Sequence, residues 1–236
     1  MSGHHQRRAA VPDTGGGADS PGPQLTWISR ANTTSDSNSY TWSSQDVGTA
    51  ASDRYVVVCP FGARKFVSGT LNSVTIAGNT MNEAANVASP GWSKTAGIFW
   101  YNLTSGTTAD IVVSFSGNQF SSGIDVFTMN LSGDPTTIDS VGAWMVDPAD
   151  NTETGLNINT EAICTILAYG SNADDTHNPH TWVGATEQFD YFASTEGVTC
   201  AINDEPGAST PHTLKVTADN GMPTTNEAYV AWSFKE

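Results

Sequence analysis

The sequence predicts an all-β protein, an antiparallel β-sandwich of jelly-roll type with an extended N-terminal arm. Short apolar segments recur throughout residues 25–236, and turn-forming residues separate them. No window of a dozen residues shows the 3.6-residue apolar period of a helix with capping residues at its ends. Roughly a dozen short strands without helical spacers are typical of sandwiches and jelly rolls.

The composition supports a packed β-domain. The chain has 236 residues, of which 38% are hydrophobic and only 14% are charged, against about 25% charged residues in an average protein. Glycine, serine, threonine and asparagine take the place of the missing charged residues. This length allows a substantial core, and this polar composition is typical of strands and turns.

The charge balance excludes some partners. The chain carries 24 acidic and 9 basic residues, a formal net charge of −15, so binding to nucleic acid by phosphate neutralisation is not expected. No apolar run approaches the length of a membrane span. The first twenty residues lack the apolar segment of a secretion signal. We therefore expect neither a nucleic-acid nor a membrane partner.

The N-terminal residues form a segment of their own. Residues 1–24 contain hardly any apolar side chain, include Gly15-Gly16-Gly17 and Pro21-Gly22-Pro23, and balance two arginines against two aspartates. We predict an arm at 1–24 and a single β-sandwich domain at 25–236, although a division near Gly133–Pro135 is an alternative. The arm is either a loose terminus or a segment that becomes ordered on a neighbouring subunit. Its candidate assembly residues are Arg7, Arg8, Gly15, Gly16 and Gly17.

The strands follow one another at short intervals. Period-two alternation and β-branched or aromatic residues predict strands within 25–29, 39–42, 53–60, 72–78, 96–103, 109–117, 123–133, 138–146, 161–170, 187–194, 197–203, 211–218 and 227–236.

Two stretches are more specific. LNSVTIAGNTMNEA at 71–84 predicts a hairpin, because alternation breaks at Ala77-Gly78-Asn79 and then resumes. In the consecutive Phe99-Trp100-Tyr101, alternation places Phe99 and Tyr101 on one face and Trp100 on the other.

The three cysteines, Cys59, Cys164 and Cys200, are widely spaced. Structural zinc sites need close pairs of ligands, so this spacing argues against zinc. Cys164 and Cys200 could pair if their strands are neighbours. The alternative is that all three are buried reduced thiols, which fits their strand-like surroundings.

The most polar cluster is the predicted loop NADDTHNPHTW at 172–182. Its candidate residues are Asp174, Asp175, His177, His180 and Trp182. Two imidazoles and a carboxylate could bind a transition metal, the tryptophan could serve recognition of a ligand, and a solvated loop is the third alternative. We expect no cofactor and no metal.

Acidic segments at 147–153 and 204–205 do not match the loop pattern of a calcium site. The sequence also lacks a GxSxG elbow, a phosphate-binding loop and an HExxH metal motif. No residue is therefore predicted to be catalytic.

Several segments resemble a known family. In 39–58, 72–81, 96–117 and 123–133, a Gly-small-small-Arg element precedes a Val-rich strand, a Ser-Val-Thr-Ile-x-Gly hairpin follows, and a Gly-Thr-x-Ala-Asp-Ile-Val-Val strand comes next. These features resemble a diverse family of small β-sandwich structural proteins of tailed bacteriophages and related prophages. The matching residues are Gly48, Arg54, Val56, Val57, Val58, Ser73, Val74, Thr75, Ile76, Gly78, Gly106, Ala109, Asp110, Ile111, Val112 and Val113; Ala77 departs from the pattern, since a second glycine is common there.

The resemblance implies a non-enzymatic virion protein: a capsid decoration, a head fibre or a tail-associated protein. Its partners would be other virion proteins and further copies of itself, with a trimer as one arrangement, and it would assemble in the host cytoplasm. A carbohydrate-binding module that recognises a host surface glycan is the alternative, with exposed aromatic residues such as Trp182 as its binding face.

Overall fold

The computed structural model describes residues 22–64, 69–89, 94–145, 153–161, 163–173, 180–193, 196–204, 206, 209–218 and 227–236. These residues form antiparallel strands and no helix, which confirms the all-β prediction. The strands are β1 Thr26–Thr33, β2 Ser37–Asp46, β3 Arg54–Ala63, β4 Leu71–Ile76, β5 Asn79–Thr80, β6 Asn82–Ala88, β7 Lys94–Asn102, β8 Thr108–Gln119, β9 Ser121–Asn130, β10 Thr136–Met145, β11 Glu153–Thr160, β12 Thr165–Ala173, β13 His180–Val183, β14 Thr186–Ala193, β15 Glu196–Asn203, β16 Ser209–Ala218 and β17 Glu227–Lys235.

The described strands form four sheets. We name them by position: the first inner sheet has the order β1-β9-β3-β7-β6, and the first outer sheet has the order β2-β8-β4-β5. The second inner sheet has the order β10-β17-β12-β15-β14, and the second outer sheet has the order β11-β16-β13. The chain therefore completes one pair of sheets in β1–β9 and a second pair in β10–β17.

The two pairs repeat one topology. In the first repeat β1 pairs with β9, β2 with β8 and β3 with β7. In the second repeat β10 pairs with β17, β11 with β16 and β12 with β15 in the same nested order. The sequence shows no repeat at a fixed period, so this duplication is visible only in the strand order.

Three apolar cores hold the sheets in a stack. One core lies between the sheets of the first repeat and contains Val56, Ile76 and Phe115, and another lies between the sheets of the second repeat and contains Ile166, Leu214 and Trp182. The central core joins the two inner sheets; its buried members include Val57, Phe127, Leu167, Tyr169, Val198 and Trp232. The molecule thus has four layers in the order first outer sheet, first inner sheet, second inner sheet and second outer sheet.

This stack bears on the predicted domain boundaries. The alternative division near Gly133–Pro135 falls between β9 and β10, where the first repeat ends and the second begins. The two repeats share the central core. The prediction of a single domain at 25–236 therefore stays a prediction, as does the alternative of two domains. The number of sheets, however, is twice that of a simple two-layered sandwich.

The two specific stretches behave as predicted. Thr75 pairs with Thr80 and Ile76 with Asn79, so Ala77 and Gly78 form a two-residue turn, with φ angles of 48° and 79°. Phe99 lies in the core of the first repeat with Tyr101 beside it. Trp100 packs on the other face, against the central core.

Two strands correct the sequence analysis. The sequence predicts no strand between residues 146 and 161, but β11 begins there at Glu153. The predicted loop 172–182 likewise ends in a strand, β13. Both strands pair with β16, which is distant in sequence, so tertiary pairing overrides weak local preference in both cases.

The described chain begins against the second repeat. The backbone N–H of Gly22 donates to the carbonyl of Asp204 (2.9 Å), and the hydroxyl of Thr165 donates to the carbonyl of Pro23 (2.7 Å). Residues 1–21 lie outside the described part of the chain, and with them the candidate arm residues Arg7, Arg8, Gly15, Gly16 and Gly17. Within the described residues, no helix has the length and apolarity needed to cross a membrane.

Candidate functional site: the junction between the repeats

A buried carboxylate lies in the centre of the molecule. Asp125 is on β9 and is fully buried between the inner sheets. Its Oδ1 accepts hydrogen bonds from Arg30 Nε (2.8 Å) and Trp27 Nε1 (3.2 Å), both on β1. Its Oδ2 accepts from the hydroxyls of Tyr169 (3.1 Å) and Tyr191 (3.0 Å). One carboxylate thus joins side chains of both repeats.

Arg30 completes this cluster, which we call the Asp125 clasp: Trp27, Arg30, Asp125, Tyr169 and Tyr191. The Arg30 guanidinium carbon lies 3.2 Å from the ring centroid of Tyr191. It also lies within 5.5 Å of the Trp27 ring on its own strand. Such cation–π contacts stabilise a partly buried guanidinium, so the ion pair and the rings together bridge the junction.

Burial favours the protonated forms of Asp125, Tyr169 and Tyr191. Burial raises the pKa of the Asp125 carboxyl, while Arg30 and the donated hydrogen bonds oppose that rise. Burial and the Asp125 charge raise the pKa of the Tyr169 and Tyr191 hydroxyls, which therefore remain hydrogen-bond donors. The carboxylate and the two hydroxyls thus form a buried hydrogen-bond network that crosses the junction.

The position of the clasp follows from the packing of the inner sheets. They contact each other most extensively where β6 and β7 face β10, β12 and β17. At the opposite side, between β1 and β14, larger side chains fill the space, including Arg30, Phe127, Phe189 and Tyr191.

An open cleft of about 720 Å³ lies at the same junction. Its walls come from residues 22–24, from the end of β9 and the loop after it, and from the C-terminal residues Lys235 and Glu236. Met129 and Leu131 line it and are themselves almost fully buried. The cleft therefore has an apolar base and a polar rim.

Ile163 lines this cleft in an unusual conformation. Its φ is 61°, in the left-handed region that β-branched residues avoid. Its side chain is 50% exposed, which makes it one of the few large apolar residues exposed in the described chain. Strain of this kind costs about 1–3 kcal/mol and concentrates at functional positions.

The predicted recognition loop is only partly described, since Asp174, Asp175 and His177 lie outside the described residues. Trp182 is 8% exposed and packs in the core of the second repeat. Its indole N–H donates to Thr199 Oγ1 (2.8 Å). The expectation that Trp182 is an exposed recognition residue is therefore wrong, because alternation along β13 turns it inward.

His180 is also internal. Its Nδ1 lies 2.9 Å from Asp190 Oδ1, its backbone N–H donates to Asp190 Oδ2 (2.6 Å), and its Nε2 is buried without a hydrogen bond. Burial raises the pKa of nearby Glu227 to about 7, while His180 and Tyr229 oppose that rise. No group of three or more possible metal ligands occurs among the described residues.

The contacts of Arg54 show the structural role of the Gly-small-small-Arg element in the first repeat. This side chain is almost fully buried, and its guanidinium donates to the backbone carbonyls of Leu103 (2.7 Å), Val47 (3.2 Å), Gly48 (2.7 Å) and Ser105 (3.0 Å). It thereby fixes the loop before β3 and the loop after β7. The Gly-small-small-Arg element is a loop anchor, and burial lowers the pKa of its guanidinium.

All three cysteines are free and buried, which agrees with the prediction that they are reduced thiols. Cys164 and Cys200 do not form a disulfide. Burial raises the pKa of the Cys59 and Cys200 thiols, both of which lie in the central core.

The sequence analysis missed the Asp125 clasp and Ile163. A signal for the clasp was present: Asp125 occurs in phase with Phe127 and Met129, so alternation along β9 turns this carboxylate toward the core. Its partners come from three other strands and have no sequence signature.

Comparison with known proteins adds no identification. No family model matches the sequence, and no curated protein matches it.

Proposed function

We propose that the protein is a non-enzymatic structural protein of a tailed-bacteriophage virion. It is a capsid decoration, a head fibre or a tail-associated protein, attached to neighbouring subunits by its N-terminal arm. Its partners are other virion proteins and further copies of itself. This proposal rests on the resemblance in the first repeat.

The observation that carries the proposal is the structural role of the residues that share the resemblance. Arg54 anchors two loops through backbone carbonyls. Val56, Val58, Val74, Ile76, Ile111 and Val113 are fully buried in the core of the first repeat. These residues preserve a framework, as expected for a protein selected for its shape.

The strand order supports a jelly-roll type for each repeat. A jelly roll pairs its first strand with its last, its second with the last but one, and so on inward. The first repeat follows this nesting from β1/β9 to β4/β5, and the second follows it in β10/β17, β11/β16 and β12/β15.

An inventory of purified particles from the source of the sequence tests the proposal. We expect the full-length chain to be abundant in particles, and a chain lacking residues 1–24 to be lost from them while keeping its far-UV circular dichroism. Absence of the full-length chain from particles would contradict the structural function. Incorporation of the truncated chain would contradict the anchoring by the arm.

Carbohydrate binding is a second candidate, for which we propose Trp27 as the binding residue because Trp182 is buried. The Trp27 side chain is 43% exposed, and its indole N–H is held by Asp125. A fixed, exposed aromatic ring offers a stacking surface for a sugar without loss of side-chain freedom on binding.

Glycan-array binding of the full-length chain tests this candidate. Binding above background should fall in Trp27→Ala and be largely retained in Trp27→Phe, which keeps an aromatic ring. Val183→Ala, at another exposed apolar residue, serves as the matched control. Absence of binding, or binding unchanged in Trp27→Ala, would remove the candidate.

A further inference from the structure

We propose that the cleft between the repeats receives residues 1–21, the part of the N-terminal arm that precedes the cleft wall, from a second copy of this chain. This inference rests on the proposed function, because it names the surface on which the arm docks. Four features of the described residues support it.

The first feature is the shape of the cleft. It opens to solvent and has a volume of about 720 Å³. Thr26, Thr128 and Asn130 contribute polar groups, and the half-exposed Ile163 contributes apolar surface above the nearly buried Met129 and Leu131. An extended peptide with small apolar and polar side chains fits such a lining, and the arm segment AAVPDTGGGA at residues 9–18 has that composition.

The second feature is Ile163. An apolar, β-branched side chain is 50% exposed at the cleft while its backbone is in the left-handed region. Both the exposure and the strain disfavour this arrangement in an isolated molecule. A peptide covering Ile163 would bury the exposed apolar surface.

The third feature is the path of the chain. Residues 22–24 form part of the cleft wall and are fixed to the second repeat by Gly22 and Pro23. Gly22, to which residues 1–21 are joined, therefore lies at the cleft. Twenty-one residues span up to about 70 Å when extended, which is long compared with a local turn back onto the same molecule.

The fourth feature is the charge distribution. The two arginines and two aspartates of residues 1–21 cancel, so the rest of the chain carries the whole net charge of −15. Direct contact between two such bodies is repulsive. Contact through the neutral arm avoids that repulsion. At the cleft, Glu236 Oε1 accepts from the Ser132 backbone N–H, which leaves its other carboxylate oxygen for Arg7 or Arg8, and the neighbouring Lys235 is paired with Glu161.

The first experiment measures the mass of the full-length chain against concentration by analytical ultracentrifugation. We expect reversible self-association, with a dissociation constant raised about tenfold or more in Ile163→Asp. Aspartate tolerates the left-handed backbone better than isoleucine does, so the variant should fold. Val183→Asp is the matched control, since Val183 is 57% exposed and lies on β13, and it should associate like the unaltered chain.

The second experiment identifies the occupant. Ile163→p-benzoylphenylalanine is prepared as ¹⁴N and ¹⁵N chains, which are mixed and irradiated, and the cross-linked peptides are analysed by mass spectrometry. We expect cross-links from position 163 to residues 1–21, with half of the pairs joining a labelled to an unlabelled chain.

Three results would overturn the inference. They are a monomer at all concentrations, cross-links to residues 1–21 only within the same copy, and cross-links only to segments outside 1–21. Because these measurements use the purified chain, they are independent of whether the chain is found in virions. The inference and the proposed function can therefore fail separately.

Discussion

At the scale of single residues, Arg54 shows how one side chain can organise two loops. Its guanidinium satisfies four backbone carbonyls, and no carboxylate contributes to these bonds. Arginine suits this position because its planar fork presents several donors in fixed directions.

We expect Arg54→Lys to lower the free energy of unfolding by about 2–4 kcal/mol, because lysine keeps the charge but leaves buried carbonyls without donors. Urea denaturation at neutral pH measures the change. Arg64→Lys, at a half-buried arginine, is the control and should change the stability by less than about 1 kcal/mol. Equal effects in both variants would contradict the anchoring role.

Glu227 predicts a pH dependence of stability. The residue is 9% exposed, and burial raises the pKa of its carboxyl to about 7. Folding therefore favours the protonated form, and the contribution of Glu227 to stability is complete below its usual pKa of about 4.5 and is lost as the pH rises toward 7. The difference corresponds to about 3 kcal/mol.

Glu227→Gln should consequently be more stable than the unaltered chain at pH 8, with little difference at pH 4. Urea denaturation at several pH values measures both. The exposed Glu83→Gln is the control and should leave the pH profile unchanged. A Glu227→Gln profile parallel to that of the unaltered chain would contradict the assignment.

At the scale of strands and turns, the β4–β5 hairpin has a strained residue, Ala77, at the position where the resemblance pattern commonly has glycine. Ala77 adopts a φ of 48°, where glycine is favoured. We expect Ala77→Gly to raise the stability by about 0.5–1 kcal/mol and Gly78→Ala to lower it by about 1 kcal/mol. Thermal unfolding measures both, and destabilisation by Ala77→Gly would show that alanine is not strained there.

Local pattern predicted this hairpin and most strands, because alternation and turn residues are local properties. It failed for β11 and β13, whose pairing with β16 depends on residues far away in the sequence. It also placed Trp182 on the surface, because the segment was interpreted as a loop and no alternation was applied to it. The partners of Asp125 could not be predicted from local pattern: Arg30 lies opposite it only because β1 pairs with β9, and Tyr169 and Tyr191 reach it only when the two repeats stack.

At the scale of the whole molecule, the Asp125 clasp should determine how firmly the repeats are joined. Arg30→Ala leaves a buried carboxylate without its cation, so we expect a loss of about 3 kcal/mol at neutral pH. Because the pKa of Asp125 is raised already, protonation should relieve part of this loss in acid.

Urea denaturation of Arg30→Ala at pH 5 and pH 8 measures this effect, with the larger loss expected at pH 8. The double variant Arg30→Met with Asp125→Asn removes both charges and should be more stable than Arg30→Ala. A loss independent of pH, together with no recovery in the double variant, would mean that Arg30 acts only through packing.

The duplicated topology places two similar folds under unequal constraints. In a symmetric dimer of two identical chains, each interface residue occurs twice, once at each end of the contact. Because the two repeats belong to one chain, the two ends of their contact can differ in sequence. One end contains the charged clasp, while at the other end, between β6 and β10, Gly142 packs closely against Val87. Each end can therefore acquire substitutions that a symmetric dimer would have to accept in both places at once.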